Sequence, residues 1–175
     1  MWPDMSLSYV FWHRPRPGAD IDEYESALRA FHARLAVAGI PGFTTSWTVR
    51  LPSVPWLDAR PGYEDRYLVA DFTALGVLNE AAVAAPQKAV HDAAAVHTAD
   101  GIAGIYRLIG GTATPTATSA SWLSKPEGVT YQAFLDGVDI GAGALWQRQM
   151  TLGPTPEFQL VGGPAGTDDI EIAPL

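Results

Sequence analysis

The chain has 175 residues, 47% of them hydrophobic, with 11 Lys plus Arg against 19 Asp plus Glu for a net charge of −8. One domain or two small modules fit this length, the apolar content suffices for a core, and the shortage of basic residues excludes nucleic-acid and anionic-membrane partners. Cys is absent, which removes disulfides, thiolate metal sites and cysteine nucleophiles.

Residues 6–14 are dense in aromatic and β-branched types and read as a strand, ended by Pro15, Pro17 and Gly18. Asp20 with Glu23 three residues on forms a capping-box pattern. Ile21, Tyr24, Leu28, Phe31 and Leu35 follow at spacings of 3 and 4, the period of an amphipathic helix, which Gly39 and Pro41 stop. Residues 44–51 read as a second strand with Trp47, Val49 and Leu51 on one face. Residues 52–64 carry three prolines and read as a loop, and 65–72 as a third strand. The Ala-rich stretch 74–98 is helical and broken at Pro86, giving a short helix and a second one starting near that proline. Residues 104–109 make a fourth strand. The order is β-α-β-β-α-β, the ferredoxin-like split βαβ arrangement, over 6–110.

Residues 111–121 form a low-complexity linker. Beyond it the pattern restarts. Trp122, Pro126, Gly128, Tyr131 and Leu135 echo Trp12, Pro17, Gly18, Tyr24 and Leu28. Two strands, 144–152 and 157–161, complete a partial second β-α-β-β module over 122–162. Residues 163–175 are a tail or an edge strand. The overall expectation is an α+β fold in which the ferredoxin-like module forms an α/β barrel.

The strands of the first module offer apolar residues on both faces, and such a sheet should close against a second one. The partner is either another chain, making a homodimer, or residues 122–162. The hollow between the two sheets is the expected ligand cavity.

The opening strand, Asp22-Glu-Tyr, Phe31-His32, Ala38-Gly-Ile-Pro-Gly-Phe43 and Tyr67-Leu-Val-Ala-Asp-Phe72 together resemble the dimeric α/β-barrel superfamily, most closely its EthD-like branch. The residue two after the His is commonly Pro in that branch and is Arg34 here. The resemblance implies a small-molecule protein. The superfamily includes cofactor-free quinone-forming monooxygenases, polyketide cyclases, lactone isomerases and haem-dependent enzymes, so the fold does not fix the chemistry.

His32, on the flank of the helical apolar stripe, is a candidate general base or a structural histidine. His13 shares a strand face with Tyr9 and Phe11; it stands at the barrel mouth if that face lines the barrel, and lies under the helices as a core histidine if the phase is opposite. Asp71, near the end of the third strand, needs a partner if buried; Arg50, Arg107 or a neighbouring His13 could serve, and a His13–Asp71 pair could orient an imidazole for proton abstraction. Tyr9, Phe11, Trp47, Arg50, Trp56 and Tyr67 are candidate substrate-binding residues, with core packing as the alternative for each tryptophan. His91 or His97 on the second helix could hold a haem, as in the haem-using relatives; otherwise no cofactor and no metal is expected, since no other ligand cluster is present. The resulting expectation is an enzyme that oxygenates, cyclises or isomerises an apolar aromatic or polyketide-like compound without a tightly held cofactor. The rivals are a barrel that only sequesters an apolar ligand and a haem-binding barrel.

No apolar run approaches the roughly 20 residues that span a bilayer. The start, Met1 to Ser6, lacks the basic and apolar regions of a signal peptide, so a cytoplasmic protein is expected. Arg used in preference to Lys, with abundant Ala, suggests a bacterial coding bias.

Overall fold

The computed structural model describes residues 6–150, 153–166 and 168–175. The start read for targeting signals lies mostly outside these residues. The first half runs β1 (Leu7–Pro15), α1 (Ile21–Ala36), β2 (Phe43–Val54), a single 3-10 turn (Pro55–Leu57), β3 (Arg60–Val69), α2 (Phe72–Ala82), α3 (Lys88–Ala95) and β4 (Thr98–Gly111). The second half runs β5 (Ser119–Leu123), α4 (Tyr131–Asp136), β6 (Ala144–Arg148), β7 (Phe158–Val161), β8 (Ile170–Glu171) and β9 (Ala173–Pro174). Sheet order in the first half is β4-β1-β3-β2, all antiparallel, which is the ferredoxin-like arrangement.

Helix α1 forms where the spacing predicts it. Asp20 caps it by accepting from the Glu23 amide at 3.0 Å, and Tyr24, Leu28, Phe31, His32 and Leu35 point inward. Several boundaries differ from those expected, among them the end of the third strand, which stops at Val69 rather than 72. The proline-rich 52–64 segment is mostly strand: β2 continues to Val54 and β3 begins at Arg60. Pro52 falls where β2 loses its ladder register to β3, a position at which a missing N–H costs no hydrogen bond. β4 spans fourteen residues rather than six. The predicted strand 144–152 ends at Arg148, and its last two residues lie outside those described.

The two halves are built alike. In the first, β1 pairs β3 with Trp12 opposite Glu64, and β3 pairs β2 with Val49 opposite Glu64. In the second, β5 pairs β7 with Trp122 opposite Gln159, and β7 pairs β6 with Trp146 opposite Gln159. β4 pairs its own half through β1 and reaches across to β6. The tail does the same in reverse: β8 pairs β5, and β9, one residue later, pairs β2. Within the segment expected to be a tail or an edge strand, β8 pairs β5, and β5 itself begins inside the segment expected to be a linker. Among the described residues the second half has no counterpart to α2 and α3.

Because β8 and β9 end the sheet on opposite edges and are separated only by Ile172, the nine-stranded sheet closes into a barrel within one chain. A second copy is therefore not needed for closure, which answers the choice the sequence left open.

The barrel interior is filled, contrary to the expected hollow. Val10, Trp12, Val49, Leu51, Tyr106, Trp146 and Ile172 share one core there. Glu64, at its centre, accepts from Trp12 Nε1 at 2.8 Å, Arg66 Nη2 at 2.8 Å and Gln159 Nε2 at 3.0 Å. The Arg66 guanidinium lies 4.9 Å over the Trp146 ring. A barrel of this strand number is just wide enough for side chains to fill, and the large residues on the inward phase of β1, β3, β6 and β7 do fill it. Among the described residues no helix is long and apolar enough to cross a membrane.

Candidate functional site

The cavity lies on the other face of the sheet, under the helices. It measures about 690 Å³ and is walled by β1 and β3 below and by α1, α2 and α3 above. This volume suits a small organic ligand. Phe72 at the start of α2 and Val83 just after its end line it and are half exposed (45% and 50%), which marks the open side. The phase left undecided by strand alternation is thus fixed: Tyr9, Phe11 and His13 face the cavity, while Val10 and Trp12 face the barrel core.

The polar floor centres on Asp65 of β3, 3% exposed. Thr48 Oγ1 donates to its Oδ1 at 2.5 Å and the Tyr67 hydroxyl to its Oδ2 at 3.0 Å. Two imidazoles converge on Oδ1, His13 Nε2 at 3.3 Å and His32 Nε2 at 3.4 Å. These are ion-pair distances, but neither nitrogen is aligned for a hydrogen bond. Each ring is held from its other side, His13 Nδ1 by the Tyr24 hydroxyl and His32 Nδ1 by Ser46 Oγ at 2.7 Å. Burial pushes the Asp65 carboxyl up, and the neighbouring His13 and His32 rings override it, holding the group well below the usual carboxylate range. Burial, reinforced by the Asp65 charge, raises the Tyr67 and Tyr9 phenols, so both remain neutral donors at physiological pH. Among the described residues no group of three His, Cys, Asp or Glu is placed to hold a metal ion.

The other sequence candidates scatter. Asp71 is not buried beside His13. It is exposed at the start of α2, where its carboxylate caps the helix by accepting from the Ala74 amide at 2.8 Å. The pairing partner of His13 is Asp65, six residues earlier. Trp47 and Trp56 pack against the barrel core, Trp56 with its ring 4.8 Å from Trp122, and do not line the cavity. Arg50 is on the outer face of β2, where Nε and Nη2 each lie 2.5 Å from the Glu25 carboxylate. His91 lines the cavity wall with Nδ1 3.1 Å from Asp92 Oδ1. His97 stands outside the lining, 6.2 Å from the Tyr24 ring.

The sequence reading missed Asp65, Tyr24, Thr48 and Ser46. Asp65 had a signal: it alternates in phase with Tyr67 and Val69, so a carboxylate there sits on the helix-covered face of the strand. Reading 52–64 as loop put Asp65 at a strand end and hid that.

No family model matches the chain, and no curated protein sequence matches it. Solved structures do. A protein described as a candidate monooxygenase from Fusobacterium nucleatum is similar over 99% of this chain and 94% of its own, at 10% identity and TM-score 0.61. An anthrone oxidase-like protein is similar over 97% of this chain and 73% of its own, at 12% identity and TM-score 0.52. A dimeric ferredoxin-like protein of unknown function from Thermobifida fusca covers 62% of this chain and 95% of its own, at 14% identity and TM-score 0.45. The fold is α+β and ferredoxin-like, and the first two likenesses extend over both halves.

Proposed function

We propose that this chain is a small-molecule enzyme of the α/β-barrel type that removes a proton from an uncharged aromatic or polyketide-like compound and needs no tightly held cofactor. As part of the same reading we place it near the EthD-like branch. The observation that carries the proposal is the convergence of two buried imidazoles on one buried carboxylate; His13 and Asp65 line the apolar cavity, and His32 reaches Asp65 from outside the lining. A structural histidine needs one partner; here two share one, each with Nε2 left unaligned. An apolar wall desolvates the anion that forms, and Asp65 stabilises the imidazolium.

Among the described residues the lining holds no Lys or Arg. A carboxylate, phosphate or thioester-nucleotide substrate would meet the Asp65 charge with no cation to offset it, so the ligand is uncharged. The same absence argues against haem, whose propionates would find no basic partner in the lining.

Among oxygenation, cyclisation and isomerisation, the names of the two longer structural neighbours favour testing oxygenation first. For an anthrone-type methylene the balance is one dioxygen per substrate: the carbon loses two hydrogens and gains one oxygen as a ketone, and the second oxygen leaves as water. The test is dioxygen uptake and quinone absorbance with anthrone and related phenols, without added cofactor and with a chelator present. Uptake equal to quinone formed, lost in His13→Ala, supports the reading. Binding without turnover would reduce the protein to the sequestering barrel, and turnover undiminished in His13→Ala would remove the base.

A further inference from the structure

Hydrogen-bond direction separates the two imidazoles. The Ala94 carbonyl can only accept, so the Thr98 hydroxyl, 3.2 Å away, donates to it. With that hydrogen used, Thr98 Oγ1 accepts from the Tyr24 hydroxyl at 3.1 Å. Tyr24 also has one hydrogen, so towards His13 it is an acceptor, and His13 Nδ1 is the donor. A neutral imidazole protonated at Nδ1 carries its lone pair on Nε2. His13 Nε2 is buried, without an aligned partner, in a side chain that borders the cavity. His32 has no such chain behind it. Its Nδ1 meets Ser46 Oγ, which has no second hydrogen-bond partner among the described residues and can donate or accept.

We infer that Tyr24, Thr98 and the Ala94 carbonyl lock His13 in its Nδ1–H tautomer, which makes His13 Nε2 the proton acceptor of the site and leaves His32 a charge neighbour of Asp65. This deepens the proposed function and rests on it for the identity of the step. In that step the substrate C–H or O–H proton passes to Nε2 and the electron pair stays on the substrate as an enolate or phenolate. The imidazolium so formed keeps its Nδ1–H on Tyr24 and gains Asp65 Oδ1, 3.3 Å from Nε2, as its counter-charge. Tyr24 and Thr98 touch no substrate in this scheme; they are positioning residues.

The inference is read without any substrate, by long-range 1H–15N correlation spectra of the imidazoles in the 15N-labelled full chain at neutral pH. His13 is expected to show a pyrrole-like Nδ1 and a pyridine-like Nε2. Tyr24→Phe removes the acceptor and should flip His13 to the Nε2–H form, which turns its hydrogen towards Asp65. Thr98→Val should move it towards a mixture of tautomers, and Thr98→Ser should restore the original pattern; this pair keeps the test available if Tyr24→Phe does not fold. A wild-type His13 that carries its proton on Nε2, or on both nitrogens, overturns the inference, as does a pattern unchanged in both Tyr24→Phe and Thr98→Val. The outcomes are separable from those of the proposed function. A locked tautomer without turnover of any anthrone or phenol sinks the activity alone, whereas turnover with His13 in the other tautomer sinks the lock alone.

Discussion

The two halves of this barrel share a strand plan and differ in what stands at the same places. In the first half His13, Thr48 and Asp65 meet below the helices. The strand pairings put Leu123, Leu145 and Leu160 at the corresponding positions of the second half. Tyr63, opposite His13, corresponds to Phe158, opposite Leu123. There Leu145, Phe158 and Leu160 form a closed core with Leu123, Phe134 and Leu135 packed on it. The first half covers its sheet with α1, α2 and α3 and leaves a cavity; the second uses only the six-residue α4 and leaves no need for one. One backbone plan thus supports either a polar floor under a roof or plain hydrophobic packing. The polar version is costly unless its groups are paired, and its presence in the first half fits the site proposed there.

The largest effect expected from this comparison is on turnover. His13→Leu, which copies Leu123, should lower anthrone turnover by about 10²–10⁴-fold, the usual contribution of a general base. Leu123→Ala, its mirror change, should leave turnover unaltered while lowering the thermal midpoint. Equal losses of turnover from the two would erase the functional asymmetry.

Stability should follow. Asp65→Ala removes the buried partner that His13 and His32 share and should cost about 3–5 kcal/mol in urea unfolding. Leu160→Ala should cost a comparable ~2–5 kcal/mol, by leaving a cavity. The double change His13→Leu with Asp65→Leu should recover most of the Asp65→Ala loss, because apolar residues replace the polar pair as they do in the other half.

A smaller effect appears with acid. Asp65 is lowered in the folded state, so the native protein binds fewer protons there than the unfolded chain. The resulting stability is complete above the ordinary carboxylate value of about 4. It is lost as pH falls below that value towards the depressed folded one. Urea midpoints measured from pH 6 down to pH 2 should therefore fall more steeply in the wild type than in Asp65→Asn.

The smallest expected effect is alkaline. Burial, with help from the Glu25 hydrogen bond, pushes the Tyr63 phenol up to about 12. Its contribution is complete below the unfolded value of about 10 and is lost as pH rises from there to the folded value. Tyr63→Phe, which copies Phe158, should flatten the midpoint-against-pH curve in that window.

Much of the fold was legible in local pattern. The 3-4 spacing from Ile21 to Leu35 and the Asp20 cap specified α1. The echo of Trp12 in Trp122 falls at matching places of the two strand plans, opposite Glu64 and Gln159. The closing strand was not legible, because β8 and β9 are two residues each and gain their stability from pairing partners more than a hundred residues away on β2 and near fifty away on β5. The cavity was assigned to the wrong side of the sheet for a similar reason. Alternation shows that both faces of β1 are apolar, but not that Trp12, Trp146 and Arg66 together fill the barrel, since that depends on volumes summed across strands. His13 and His32 were visible as candidates, yet their common partner was not, because Asp65 becomes a buried hub only once three separate elements close around it.

The most direct test of where the ligand goes is a methyl NMR titration of the full chain with anthrone, an uncharged aromatic probe. Shifts concentrated at Leu28, Leu75, Leu78 and Ile105, which line the cavity under the helices, are the predicted result. Shifts concentrated at Leu123, Leu145 and Leu160, or at the barrel residues Val10 and Val49, would contradict it.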